Sequence, residues 1–375
     1  MAKMNKKQAL PTAGLYVHVP FCVSKCPYCD FYSLSSDEKT MDRYVKAVLR
    51  DLQTYKGQFL ADTVYFGGGT PSLLGSKRIY TLMNTIREWF AVDENAECTM
   101  EANPAENLEE IFHAFYEAGG NRISMGLQTA DNRLLKKLGR RHTVEQVEKA
   151  VKDARKTGFT RISLDMMLGI PDQTREHIQK TAAFCETCGV EHVSSYMLKI
   201  EPGTPFALHP TIVPDDEETA DLYLFACEQL ESRGYKQYEI SNFAKPGEES
   251  RHNLKYWNGE EVLGIGPAAH SFWEGKRTYY ERDLSSFLEG TQKAILAEAN
   301  GMEDGSKEEY AMLRLRLNEG LLEEKFEARY GEEIPQIWRD RAAKIPSNFI
   351  ICDEKGIHLT REGFLLSNAI LTEIL

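Results

Sequence analysis

No stretch of this 375-residue chain approaches the ~18 consecutive apolar residues of a membrane helix, so no bilayer-spanning segment is expected. Basic charge is also short. Lys and Arg number 45 against 57 Asp and Glu, for a net charge of -12. A nucleic-acid coat or a polybasic membrane anchor fits that balance poorly, although peripheral contact with a membrane surface stays open. Met1 to Pro11 holds lysines with no apolar core behind them, which is not the form of a secretory signal. A cytoplasmic location is therefore expected, where eight cysteines do not make a disulfide framework. There is no repeat at solenoid period and no low-complexity segment. What is present is ordinary globular composition, 42% apolar and 27% charged, which excludes a disordered, collagen-like or coiled-coil chain.

From residue 15 to about 200, short apolar runs alternate with segments of helical period. The expected strands are Leu15-Val19, Thr63-Phe66, Glu97-Glu101, Arg122-Met125, Arg161-Met166 and His192-Leu198. Helical periodicity follows in Met41-Tyr55, Ile79-Phe90, Leu108-Ala118, Val144-Thr157 and Glu176-Cys185. Such a series predicts an α/β fold, a parallel sheet with helices outside it. A barrel, a partial barrel and an open doubly wound sheet all satisfy the pattern. Each places its site at the C-terminal ends of the strands. Past residue 200 the rhythm changes. Asp215 to Glu218 opens a long helix reaching Arg233, residues 250–280 read as loops and short strands, and Glu298-Ser306 reads as a linker. The remainder is mostly helical in pattern, with a short strand pair near Phe349-Leu359.

The sharpest local signal is Cys22, Cys26 and Cys29, in the spacing C-x3-C-x2-C just after the first strand. Three thiolates on one loop can grip a metal centre. Structural zinc draws four ligands, and a four-iron cluster normally takes four cysteines. A set of three leaves one metal position open for a small molecule. The bland alternative is three reactive thiols without metal. Cys185 and Cys188 read as small buried hydrophobes, and Cys98, Cys227 and Cys352 are isolated.

Around that loop stand Tyr16-Val17-His18-Val19-Pro20-Phe21-Cys22, then Gly67-Gly68-Gly69-Thr70-Pro71-Ser72, then Ser124-Met125-Gly126-Leu127-Gln128. Together they resemble the radical S-adenosylmethionine (SAM) enzymes of the oxygen-independent coproporphyrinogen III oxidase family. The resemblance implies a partial (β/α)6 barrel with a small, mainly helical, winged-helix-like C-terminal domain. Its expected divisions are a tail at 1–13, the barrel core at 14–240, an extension at 241–300 and the C-terminal domain at 301–375. The coproporphyrinogen dehydrogenases of the family carry another cysteine two residues after the third; this chain has Phe31 there. It also has His252-Asn253-Leu254-Lys255-Tyr256-Trp257, similar to the H-N-x-x-Y-W motif of the haem-chaperone branch. Porphyrinogen decarboxylation is therefore not the expected activity. It stays open as the alternative, as does radical cleavage of haem.

By the same resemblance, Cys22, Cys26 and Cys29 hold a [4Fe-4S] cluster whose fourth iron binds SAM. Tyr16 and Glu101 go with that SAM, and Gly68, Gly69 and Thr70 meet its methionine part. Tyr28 lies against adenine. Gln128, Arg140 and Asp165 match positions for a second SAM. His252 is the expected haem contact. The implied partners are haem, haem-accepting respiratory proteins and an electron donor. The C-terminal region is slightly more acidic than basic, so nucleic acid is not an expected partner.

Overall fold

The computed structural model describes residues 10–105, 107–209, 211–297 and 302–375. Most of the expected tail, and part of the acidic stretch after Glu298, lie outside them. Six strands and their helices follow one another: β1 (Thr12–Val19), β2 (Leu60–Gly68), β3 (Ala91–Ala102), β4 (Arg122–Gln128), β5 (Arg161–Leu168) and β6 (His192–Met197). All six run parallel in chain order. Short strands lengthen the sheet at both edges. β7 (Lys236–Gln237) and β8 (Asn242–Ala244) add to β6, with β8 antiparallel to it. β9 (Val262–Ile265) pairs parallel with β1, followed by β10 (His270–Trp273), β11 (Lys276–Tyr279) and β12 (Ile295–Leu296). Residues 241–300 thus contribute to both edges.

The strands are two-faced, and this positions the site. On one face Val17, Val64, Phe66, Met100, Ile123, Leu164 and Val193 are buried. They share a core with Tyr44, Val48, Ile79, Leu82, Phe112, Val147 and Ile178 of the surrounding helices. The other face carries Tyr16, His18, Thr63, Tyr65, Glu97, Glu101, Ser124, Arg161, Ser163, Asp165 and His192. A period of two sends these polar side chains into the barrel interior while their neighbours pack outside. Local signals fix the helix ends. Thr143 and Gln146 form a capping box before Val144–Thr157, and Gly158, at φ 119°, closes that helix.

The segment expected as a loop at His252 is instead a helix, Arg251–Trp257, capped by Ser250. Glu97 receives the backbone N–H groups of Arg251 (3.1 Å) and His252 (3.0 Å), a carboxylate on a helix N-terminus. Arg161 Nη1 lies 3.2 Å from the same carboxylate. Thr63 and Glu97 face each other in adjacent strands, level with Gly14. The helix therefore plugs the barrel near the N-terminal ends of its strands, opposite the cysteine loop.

The C-terminal domain has its own core, including Tyr310, Phe326, Trp338, Ile350, Leu359 and Phe364. Its sheet has the order β13 (Leu321–Leu322), β15 (Gly356–Leu359), β14 (Ile350–Asp353). It is tied to the barrel where Ile240 N–H donates to Arg316 O (3.0 Å) and Asn318 N–H to Tyr238 O (3.0 Å). Among the described residues no helix is long and apolar enough to cross a membrane.

Candidate cofactor site and barrel interior

β1 ends at Val19, and the cysteine loop follows. It is closed at its base by a bridge between Phe21 and Leu34, where Cys22 N–H donates to Leu34 O (3.0 Å). Cys29 N–H donates to Cys26 O (3.1 Å), a turn that brings the second and third thiols together. The three thiols are free and partly exposed. Burial raises the Cys29 thiol, and Cys26 and Cys22 lie close enough to add to the effect.

The glycine segment abuts this loop. Gly69 N–H donates to Val19 O (2.8 Å) and Thr70 N–H to Phe21 O (2.7 Å). A Cβ on Gly69 would lie 2.6 Å from Phe21 O, so only glycine permits the approach. Thr70 Oγ1 lies 3.3 Å from Cys22 Sγ. Gly68, at φ 109°, turns its N–H toward Glu101 Oε2 (3.2 Å).

Glu101 also accepts from Tyr65 O–H (2.9 Å). Burial, then the neighbouring Asp165, pushes its carboxyl up to about 7. Asp165 is itself raised by burial and accepts from Ser124 Oγ at 3.4 Å. Arg140 Nη2 donates to Gly126 O (3.0 Å) while its Nη1 reaches Cys26 Sγ (3.7 Å). Gly126 makes room: a Cβ there would lie 2.6 Å from Gln128 Nε2 and 2.8 Å from Arg140 Nη2. Gln128 stands at a register shift with φ 68°, a left-handed position uncommon outside glycine. Tyr28 packs on Phe206, ring centroids 6.3 Å apart. Tyr16 donates to His18 Nδ1 (3.0 Å), and His18 Nε2–H donates to Tyr32 O (3.1 Å). Of the expected residues, Gly69, Thr70 and Arg140 touch the cysteine loop that carries Tyr28, Gly68 bonds to Glu101, and Gln128 and Asp165 stand on neighbouring strands, whereas Tyr16 packs on Tyr65 and His252.

His252 is not among them. Its ring is 1% exposed and stacks on Tyr65, 5.0 Å between centroids, with Tyr16 beyond. Nδ1 lies 2.7 Å from Thr63 Oγ1 and Nε2 3.0 Å from Tyr256 Oη. Burial lowers its pKa to about 3, with Lys255 and Arg122 adding to the effect. The expectation of a loop at this histidine is corrected. The residue is helical, and both nitrogens are engaged.

The same helix turns its other side to a cavity of about 380 Å³ at the junction with the C-terminal domain. Asn253, Tyr256 and Trp257 line it, with Tyr196 of β6, Glu239 between β7 and β8, Asn242 at the start of β8, and Arg316. Tyr256 is 38% exposed. Glu239 is fully buried, and neither of its carboxylate oxygens has a hydrogen-bond partner; nor does Asn242 Oδ1. Sequence reasoning missed Glu239, Tyr196, Arg316 and Tyr65. Only the last had a signal, since it shares a strand face with Gly67.

A profile of the radical SAM superfamily matches residues 16–185, and one of the HemN C-terminal domain matches 307–366. In fold the chain is similar to a solved structure described as "Coproporphyrinogen III oxidase (HemN) from Escherichia coli is a Radical SAM enzyme." The TM-score is 0.80 over 98% of this chain and 90% of that one, at 22% identity. Fold and loop together define a radical SAM protein with a HemN-type C-terminal domain. Proteins named "Heme chaperone HemW" are similar over nearly their whole length. That of Escherichia coli K12 is 36% identical, covering 96% of this chain and 98% of its own. Those of Bacillus subtilis 168 and Lactococcus lactis are each 34% identical, covering 95% and 96% of this chain and 97% and 96% of their own. The chain belongs to the HemW family of haem chaperones.

Membership of the radical SAM superfamily brings a [4Fe-4S] cluster and SAM. The loop fits such a group. Among the described residues no His, Cys, Asp or Glu side chains cluster as ligands of a single ion. A cube held corner by corner asks for three thiols on one loop, each meeting its own iron, and Cys22, Cys26 and Cys29 stand free and partly exposed on theirs.

Proposed function

We propose that the protein binds haem and passes it to haem-dependent respiratory proteins, working in the cytoplasm while holding a [4Fe-4S] cluster and SAM. The observation that carries this reading is the cavity beside the helix Arg251–Trp257. Three residues of the family motif, Asn253, Tyr256 and Trp257, share its wall with Tyr196 and the cation of Arg316. Aromatic rings cover a macrocycle face, and a guanidinium suits a propionate. Phe31, 67% exposed on the cysteine loop, supports delivery over decarboxylation, since it stands where the dehydrogenases have a cysteine.

Bound SAM on the cluster supplies one-electron chemistry, for which an external electron donor is proposed. The chain's own residues do the holding. Cys22, Cys26 and Cys29 grip the cluster, and Gly68, Gly69 and Thr70 bring backbone close to it. Glu101 would meet the ammonium of SAM, with Tyr16 beside it, while Arg140 and Asp165 would suit a carboxylate and a hydroxyl. Gln128 and Tyr28 suit the adenine edge and face. The deciding experiment is an anaerobic haem titration of the cluster-loaded protein, followed by absorption, with and without SAM and again with Trp257→Ala. A saturable spectral change, weakened in the variant, is expected. No change in the wild-type protein removes the reading.

A further inference from the structure

We infer that the iron of the cargo haem is ligated by the phenol oxygen of Tyr256, and that His252 is its positioning residue rather than the ligand. The inference rests on the haem-binding reading above but not on the cluster. Histidine is the usual first thought for haem iron. Here the ring is closed off in either tautomer. If Thr63 O–H donates to Nδ1, then Nε2–H donates to Tyr256 Oη; in the other tautomer Nδ1–H points at Thr63 and Nε2 accepts from Tyr256. No ring nitrogen keeps a lone pair for a metal, and the ring is walled in by Tyr16 and Tyr65.

The helix repeat explains the division of labour. Positions 252 and 255 fall on the buried side of the helix. Positions 253, 256 and 257 fall on the cavity side. Tyr256, four residues after His252, is the motif residue that both lines the cavity and touches the histidine. Phenolate is an established ligand of ferric haem iron. The step is a ligand exchange without redox change. An iron–oxygen bond forms as the Tyr256 O–H bond breaks, the proton leaves to solvent, and the water on ferric iron departs. An N–H from His252 then satisfies the second lone pair of the phenolate and holds the ring in place. Glu239 is the other oxygen donor of the cavity, and the test separates the two.

The probe is ferric haem added to the purified full-length protein, read by absorption and resonance Raman spectroscopy. The wild type should show a phenolate-to-iron charge-transfer band and the matching phenolate vibrations. Tyr256→Phe, which removes one oxygen, should lose both and release haem at least about tenfold faster to a scavenging apoprotein, the equivalent of about 1.4 kcal/mol. Glu239→Gln should keep both signatures. His252→Gln, which retains a side-chain N–H, should keep the band with a shifted frequency. An unchanged spectrum in Tyr256→Phe, or a loss confined to Glu239→Gln, overturns the assignment. A wild type that binds no haem sinks the parent reading instead.

Discussion

Glu239→Gln should stabilise the protein at alkaline pH and leave it nearly unchanged in acid. Glu239 is fully buried at the domain junction, and neither carboxylate oxygen has a hydrogen-bond partner. Burial raises its pKa from the ordinary 4.5 to about 7, and the amides of Ser241 and Asn242, nearby but outside hydrogen-bond geometry, offset this only in part. Below pH 4.5 the group is protonated folded and unfolded, so it carries no ionisation penalty. As pH rises through 4.5 the unfolded chain ionises first. The folded state holds its proton until about pH 7, and stability falls across that interval. Above it the full penalty, about 3 kcal/mol, is in place. Glutamine has the same shape without the ionisation, and the Asn242 side chain beside it offers its amide an acceptor. Urea unfolding at pH 5 and pH 8.5 measures the effect. Glu101 titrates in the same range, but it is present in both proteins and cancels in the difference. The variant should gain about 2–3 kcal/mol relative to wild type between the two pH values. A difference independent of pH would refute the reasoning.

Other outcomes follow from the same geometry. Cys22→Ala should abolish iron incorporation after anaerobic reconstitution, while Cys98→Ala, buried in the core far from the loop, should retain it; iron analysis compares them. Gly69→Ala puts a Cβ 2.6 Å from Phe21 O. It should push the cysteine loop off β2 and weaken SAM binding more than it lowers the melting temperature, as calorimetry can test. SAM affinity should rise as pH passes through about 7, because burial keeps Glu101 protonated below that value and only the carboxylate attracts an ammonium. In Glu101→Gln the affinity should be weaker and flat. Glu97→Gln breaks the pairing with Arg161 and removes the charge from the helix N-terminus at Arg251. It should cost about 3 kcal/mol in denaturant unfolding.

The six strand–helix units were legible because each helix carries apolar spacing and several carry caps. The helix at Val144–Thr157 begins and ends where its threonine and glycine put it. The cysteine loop was legible because its ligands are contiguous in sequence. The plug helix was not. Arg251–Trp257 is seven residues long, with polar residues on both flanks and no apolar stripe. What makes it a helix is Glu97, more than 150 positions away, receiving its N-terminal amides. The cavity was hidden for the same reason. Glu239, Tyr196, Tyr256 and Arg316 come from four separate parts of the chain, and no local pattern joins them.

The two-faced strands explain why the motif histidine invites misreading. A barrel whose interior holds Tyr16, Tyr65, Glu101, Asp165 and Arg161 cannot be closed by an apolar plug without stranding their hydrogen-bonding groups. Its N-terminal end needs a side chain that can donate and accept at once, flat enough to stack on the adjoining rings of Tyr65 and Tyr16. Histidine meets both demands, with Thr63 on one nitrogen and Tyr256 on the other. An invading ligand would have to break both bonds and displace the stacked rings, whereas Tyr256 already borders open space. If this is the reason histidine stands there, His252→Leu should damage folding of the whole barrel, including SAM binding at its far end. Tyr256→Phe should leave SAM binding intact. Equal loss of SAM affinity in both variants, or in neither, would show that the buried and cavity sides of the helix do not have the separate roles argued for them.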